Sequence, residues 1–563
     1  MKLRRTPGLS AALETADVPA SVVRTFWVAL TAATLALALV TALSSPSGNW
    51  NTFVFGVEYH QYSDPGGWYL GGALAMSEPQ VRAAGFYGHP GQPLALTLHG
   101  IARVMHGAHK FLGGRENFIT YASGHLPSII PACLFVMAVF QTVACYAVYR
   151  FSRCVGVSVL AALAAALVYA TCWQSLFYLA RISVEAMTTI VGLAAVIACF
   201  RCTERLEVGD RRGALRWAFA VGALSVLGIY TKIHLLLPLA GAIGLWMLAL
   251  PVRSGWRTVP AGTRLAVLGV AAVGAAVVFA AGLKFTDWPF FFAQWFNSIP
   301  GSDVYAPAHE TVAQNLGGTI GKIAESFRKA GADFFAAFVT KGQLRQSTLV
   351  ELGVYILAIF GFAYEWRART VRRSRLVFIV LAVLALAPIV LFRRGFHYWS
   401  IYIALGAPFV GAVLARVVAR SAPSNWSSPA RASATMACVL VLHAGALGCY
   451  VEAKRDDARQ FDNCRAWFTA LKSLKPGEKI GLLNNGGDGN QYYHIGLYFP
   501  YQHPYFTVKD SAVGRAFLSR LEQVAGGYTA DSLRARNISV LLDPVPLPGG
   551  GVAWSIRWWN TSK

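Results

Sequence analysis

Apolar runs separated by short basic stretches dominate this chain. They recur at 26–43, 127–149, 155–177, 184–200, 217–230, 234–250, 265–282, 349–364, 376–392, 398–418 and 432–450. Crossing ~30 Å of hydrocarbon takes about 20 mostly apolar residues in helical form. The pattern therefore predicts an all-α polytopic membrane protein with about eleven transmembrane helices, the run at 217–230 being short for a span. Two long polar stretches, 44–126 and 284–348, interrupt the series.

Beyond residue 454 the pattern changes. LKPGEKIGLLNNGGDGNQYYHIGLYF reads as a strand, a Gly-rich turn and a helix, NISVLLDPV as a buried strand, and VAWSIRWW as an alternating edge strand. We expect residues 1–454 to form a membrane domain and residues 455–563 a small α/β domain outside the membrane. In the second long stretch, 321–328 has the spacing of an amphipathic helix.

Composition agrees with this reading: 55% of the 563 residues are hydrophobic and only 14% are charged. The net charge of +23 raises the question of nucleic acid. Its distribution answers it, because most Arg and Lys residues lie in short loops between the apolar runs, which is the positive-inside pattern. With the N-terminus in the cytoplasm, the loops holding Arg150 and Arg153, Arg201 and Arg205, Arg372 and Arg375, and Arg416 and Arg420 all fall inside. The segments 44–126 and 284–348 and the tail then face outward. The nine cysteines lie mainly in or beside apolar runs and imply no disulfide framework.

Candidate chemistry concentrates at the outer side. The segment 58–109 carries Glu58, Asp64, Glu78, Arg82, His89 and His99 interleaved with Tyr59, Tyr62, Trp68, Tyr69, Phe86 and Tyr87. Such a mixture suits the membrane–water interface. Asp64, in a Tyr-Ser-Asp-Pro-Gly-Gly turn, is a candidate general base or an Asx-turn residue, and Glu58 is the competing carboxylate. Arg181 and Glu185 stand i, i+4 and either neutralise each other or leave Arg181 facing an anion. Lys232, flanked by apolar residues, either snorkels or binds phosphate. Arg393, Arg394 and His397 make a third outer basic spot, and arginine holds phosphate in bidentate fashion. His99, His106 and His109 have helical spacing and could hold a metal or simply line an interfacial helix. The lone Cys199-Phe-Arg-Cys202 pair points to neither zinc nor redox use.

Taken in order, these segments resemble the GT-C superfamily of membrane glycosyltransferases, in its protein O-mannosyltransferase and aminoarabinose–lipid A transferase branch. Asp64, Trp68, Tyr69 and Ala73 resemble the family's acidic residue after span one, followed by Tyr and a small-residue helix. GHPGQPLALTLHGIARVMHG (88–107) resembles its Pro-rich motif, with His89 where the family often has Lys. YLARISVEAM resembles the Arg-containing turn into span four, with Glu185 where Asp is common. GIYTKIHLLLPL and RRGFHYWSIYIALGAPFVGAVLA resemble the later Lys- and Arg-containing spans.

The resemblance covers roughly 20–420 and implies a GT-C fold in a bacterial-type inner membrane. It implies transfer, with inversion, of a sugar from a polyprenyl-phosphate donor in the bilayer to an extracytoplasmic lipid, glycan or protein acceptor. Asp64 or Glu58 would be the base. Arg181, Lys232, Arg393 and Arg394 would hold the donor phosphate, and Tyr62, Trp68, Tyr69, His89, Glu185, His397 and Tyr398 would contact donor or acceptor. No metal ligands are assigned; a divalent ion is the one cofactor the family leaves open. The rival readings are a secondary transporter, which would place broken helices at mid-membrane in paired repeats, and a non-catalytic assembly protein for cell-envelope polysaccharide.

Overall fold

The computed structural model describes residues 18–44, 70, 73, 74, 76, 91–179, 182–249, 260–283, 346–368, 371–393, 400–423, 426–444, 470, 473–475, 477–483, 519, 521–546 and 552–560. Helices predominate. In chain order they are α1 (Ala20–Ser44), α2 (Gln92–Phe111), α3 (Phe118–Gly124), α4 (Leu126–Val155), α5 (Val159–Thr171), α6 (Trp173–Tyr178), α7 (Glu185–Glu207), α8 (Arg211–Ala249) and α9 (Ala261–Leu283). Then come α10 (Gln346–Ala368), α11 (Arg373–Arg393), α12 (Ser400–Ser421) and α13 (Ser428–Leu442). Among the described residues, six helices are long and apolar enough to cross a membrane, and three shorter apolar ones accompany them. The architecture is that of an α-helical membrane protein.

Local chemistry sets the helix ends. Ser158 caps α5 by accepting from Ala161 N, Ser427 caps α13, and Gly156 ends α4 in the left-handed conformation that a side chain would resist. The run predicted at 155–177 is not one helix. Cys172 adopts extended backbone and splits it into α5 and the short α6.

The runs at 217–230 and 234–250 are the two arms of α8, whose helical dihedrals break at Lys232 (φ −157°, ψ 86°). In a continuous helix residues 228 and 236 would stand roughly 12 Å apart along the axis. Instead a Cβ on Gly228 would lie 3.2 Å from the Leu236 Cβ, so the arms fold back on each other and Lys232 sits at the tip. The first arm runs antiparallel to α7: Cys202 Sγ meets the Ala214 carbonyl near one end, and Glu185 meets Lys232 at the other. The first arm, reaching back to Arg211, is longer than its apolar run suggests.

Between the ends, the bundle packs through small residues. A Cβ on Gly411 of α12 would collide with the Ala161 carbonyl of α5, and one on Gly274 of α9 with the Phe219 carbonyl of α8. Where lipid removes the hydrophobic drive between helices, close backbone approach supplies the packing energy. One end of the bundle gathers the arginines of the short loops. Arg375 bonds both the Cys154 carbonyl and Glu204, Arg372 Nη1 reaches Glu207 Oε2 at 2.6 Å, and Arg416 pairs with the buried Glu365.

The tail carries a four-stranded sheet of β1 (Lys479–Leu483), β2 (Leu521–Val524), β3 (Ile538–Pro546) and β4 (Val552–Trp559), in the order β2-β1-β3-β4. β1 is parallel to both of its neighbours, and β4 pairs antiparallel with β3 at the edge, where its alternating sequence places it. A short helix, α14 (Ala530–Ala535), opens with a Thr529/Ser532 capping box and buries Leu533 against Leu483, Val524, Ile538 and Leu541. The sequence shows no sign of β2. The helix expected after the Gly-rich turn and the one expected at 321–328 lie outside the described residues.

Because Gly411 sits against backbone and not against a movable side chain, Gly411→Val forces α12 away from α5 at a cost of about 1–3 kcal/mol. We expect a lowered melting temperature and aggregated protein in size-exclusion chromatography. Gly241→Ala, where nothing lies within 4 Å of the added Cβ, leaves both unchanged.

Candidate functional site

Glu185 and Lys232 lie in apolar stretches of sequence, 47 residues apart. The fold brings them together. Glu185 is the first residue of α7, where the free N–H groups of a helix start favour a negative charge. Lys232, at the tip of α8, donates from Nζ to Glu185 Oε1, and the two side chains are only 1% and 5% exposed. Ser400 Oγ, at the head of α12, lies 3.5 Å from Glu185 Oε2. Beneath them the Tyr169 hydroxyl of α5 donates to Thr189 Oγ1 at 3.0 Å, both groups buried.

Snorkelling thus fails as an account of Lys232: its ammonium points into protein and meets a carboxylate. Among the described residues Glu185 pairs with Lys232; its pairing with Arg181 falls on a residue outside them. Burying two charges costs several kcal/mol each, a cost offset only by close mutual contact and further hydrogen bonds.

The first long polar segment reaches the same place. Gly91, the N-cap of α2 with φ 116°, donates its N–H to the Tyr230 carbonyl at 3.1 Å, two residues from Lys232. The Tyr230 hydroxyl donates to the Phe279 carbonyl of α9 at 3.0 Å. On the same helix α2, His99 Nδ1 stands 2.7 Å from the carbonyl of Ala73, which is fully buried. The Pro-rich motif, the small-residue segment around Ala73, the Lys232 tip, the Glu185 turn and the head of α12 therefore form one connected series of contacts.

Several predicted site residues lie outside the described residues: Glu58, Tyr62, Asp64, Trp68, Tyr69, His89, Arg181, Arg394, His397 and Tyr398. Arg393 is the last residue of α11. Sequence reasoning missed Ser400, which stands two positions beyond Tyr398. It also missed that Glu185 is a counter-charge of Lys232; the available signal was two opposite charges at matching ends of successive apolar runs.

The arginine-rich end of the bundle is a different place. A cavity of about 530 Å³ there is lined by Trp27, Tyr146, Tyr149, Arg150, Arg153 and Arg201. Arg201 lies 16 residues along α7 from Glu185, roughly 24 Å at 1.5 Å per residue.

No family model matches the sequence, and no curated protein matches it. Among solved structures the chain is similar to the archaeal oligosaccharyltransferase AglB from Archaeoglobus fulgidus, in complex with an inhibitory peptide and a dolichol-phosphate. That likeness has 12% identity and a TM-score of 0.43, over 91% of this chain and 69% of the other. The apo form of the Archaeoglobus fulgidus oligosaccharyltransferase matches at 12% and 0.42, over 94% and 75%. Its complex with Zn and sulfate matches at 12% and 0.43, over 93% and 72%. Likenesses of this size assign neither family nor activity, and the functional reading rests on the residues.

Removing one member of the buried pair strands the other. Glu185→Met or Lys232→Met alone should cost about 3–5 kcal/mol, whereas the double change to Met at both positions should be close to neutral. Thermal unfolding of the two single variants and the double variant in detergent measures this coupling.

Proposed function

We propose that this protein is a membrane glycosyltransferase of GT-C type, which moves a sugar from a polyprenyl-phosphate donor to an extracytoplasmic acceptor with inversion at the anomeric carbon. The observation that carries the reading is the buried Glu185–Lys232 pair, set where the start of the Pro-rich helix and the head of α12 meet. The sequence resemblance draws on these same segments, in the same order.

In this reading the chain crosses a bacterial-type inner membrane eleven times, with its N-terminus inside and its tail sheet outside. The two arms of α8 count as separate spans, and the arginine-rich end is cytoplasmic. Asp64 takes the proton from the acceptor hydroxyl, with Glu58 as the alternative base. The acceptor oxygen attacks the anomeric carbon, the bond from that carbon to the phosphate oxygen breaks, and polyprenyl phosphate leaves. Arg181, Lys232 and Arg393 or Arg394 oppose the charge that develops on the departing phosphate, positive charge fixed before the reaction being the effective form of such help. Glu185 holds the Lys232 ammonium in position. Tyr62, Trp68, Tyr69, His89, His397 and Tyr398 line donor and acceptor.

The transporter reading would place the interruption of α8 within a span at the membrane midplane. The contact between Gly228 and Leu236 favours a hairpin tip at one end of the bundle. That is the position a transferase acting at the membrane surface requires.

The test is Asp64→Asn in the full chain reconstituted with a polyprenyl-phosphate-linked sugar and cell-envelope acceptors. Loss of a general base should lower transfer about 10²–10⁴-fold, while expression and donor binding persist. Unchanged transfer would remove Asp64 as the base and move the assignment to Glu58. Absence of transfer by the wild-type chain with every polyprenyl-linked donor would remove the enzyme reading.

A further inference from the structure

At the corner where α2 turns through a loop into α3 and α4, three metal-ligating side chains face one another. They are His109 in the last turn of α2, Glu116 in the loop, and His125 between α3 and α4. One nitrogen of each imidazole and one oxygen of the carboxylate all lie within 4.8 Å of one another. His109 Nε2 stands 3.7 Å and His125 Nδ1 3.4 Å from Glu116 Oε2. Ligands about 2.0–2.2 Å from a tetrahedral zinc ion stand roughly 3.3–3.5 Å from each other, so the spacing already approximates a coordination shell.

Two further observations point to a ligand. His109 Nε2 and Glu116 Oε2 are buried from solvent and have no hydrogen-bond partner among the described residues. Such groups are costly unless something satisfies them. In addition, the rings are held in place before any ion arrives. Tyr121 stacks on His125 with centroids 4.3 Å apart at 16°, and its ring also lies 5.0 Å from that of His109 and 5.2 Å from that of His106. The Tyr121 carbonyl lies 3.1 Å from His125 Nδ1, the same nitrogen that faces Glu116, so an ion bound through Nδ1 replaces this backbone contact. His125 occupies the N-cap of α4 and makes no side-chain capping bond there. The chain after α2 runs through Gly113 (φ +96°) and Gly114, and a Cβ on Gly114 would occupy the space of the His109 ring.

The histidines that share helical spacing with His109 do not belong to the cluster. His99 contacts the Ala73 carbonyl and accepts from Arg103 Nε at 3.2 Å, while His106 Nε2 is 2.9 Å from the Glu116 backbone carbonyl.

We propose that His109, Glu116 and His125 bind one divalent transition-metal ion, zinc by the chemistry of a two-imidazole, one-carboxylate donor set. Three protein ligands leave a fourth position for water or an exogenous ligand, and the side chains keep about a third of their surface open to solvent, at 30%, 30% and 33%. The ion clamps the end of α2 to the start of α4. Since α2 carries Gly91 against Tyr230, the clamp fixes the far end of the helix whose head abuts the Lys232 tip. The site is independent of the glycosyl-transfer reading and stands or falls without it.

The test uses the full-length protein, stripped with chelator and titrated with Zn²⁺ by calorimetry and with Co²⁺ by visible absorption. We expect one ion per chain, the intense d–d bands of four-coordinate Co²⁺, and a higher melting temperature with saturating Zn²⁺. His109→Ala, His125→Ala and the near-isosteric Glu116→Gln should each weaken Zn²⁺ binding more than about a hundredfold, beyond the usual effect of losing an outer-shell partner. His99→Gln should bind as the wild type does. Absence of Co²⁺ or Zn²⁺ uptake by the wild-type chain would overturn the proposal, as would uptake that survives all three substitutions. Because the wild-type spectrum reads the site directly, a variant that fails to fold leaves the test intact.

Discussion

Two opposite charges buried at the tip of a helical hairpin are a central constraint among the described residues. Glu185 and Lys232 come from segments 47 residues apart and are almost wholly removed from solvent. Neither is tolerable alone in an apolar bundle, so the head of α7 and the fold-back of α8 must meet. Ser400 adds the head of α12 to the same point, and the Gly91–Tyr230 hydrogen bond adds the start of α2. Four separate stretches of chain are thereby held at one end of the bundle by polar contacts, while its length is packed by small residues.

The other end is organised by the same physics with a different outcome. Arg372, Arg375 and Arg416 pair with Glu207, Glu204 and Glu365, joining α11 to α7 and α12 to α10. Several of these pairs are partly exposed and act as ties between neighbouring helices. The pair at the tip of α8 is dry, and the start of α2 bonds to Tyr230 two residues from it. This asymmetry is why the proposed chemistry is assigned to that end.

Much of the helix plan was legible because a membrane span writes itself as a long apolar run, and α1, α4, α7, α9 and α12 lie where those runs lie. The boundaries that failed had local causes. Extended backbone at Cys172 divides a continuous apolar run, and hydropathy is blind to one residue of changed dihedral angle. The break at Lys232 was legible only as a charge between two runs. The strands β1, β3 and β4 followed from alternation and β-branched residues, but the four residues of β2 are too few to show a period.

At the site, individual residues were legible and their partners were not. Lys232 and Glu185 stood out because charges are rare in such runs, yet sequence spacing joined Glu185 to Arg181 and left Lys232 without a counter-ion. His109 was noticed for its helical spacing with His99 and His106. Its spatial companions, Glu116 and His125, sit in a loop and at a helix cap, where periodicity has no purchase. Pairing across elements is a property of the fold, and only the folded chain displays it.

The most direct measurement of the central claim is the affinity of the reconstituted full-length chain for polyprenyl phosphate, compared between wild type and the double variant Glu185→Met/Lys232→Met. The account predicts a folded double variant that binds the lipid phosphate at least about tenfold more weakly, the loss of one charge-assisted hydrogen bond. Equal affinity in a folded double variant would contradict it, leaving the pair as a structural tie with no part in the chemistry.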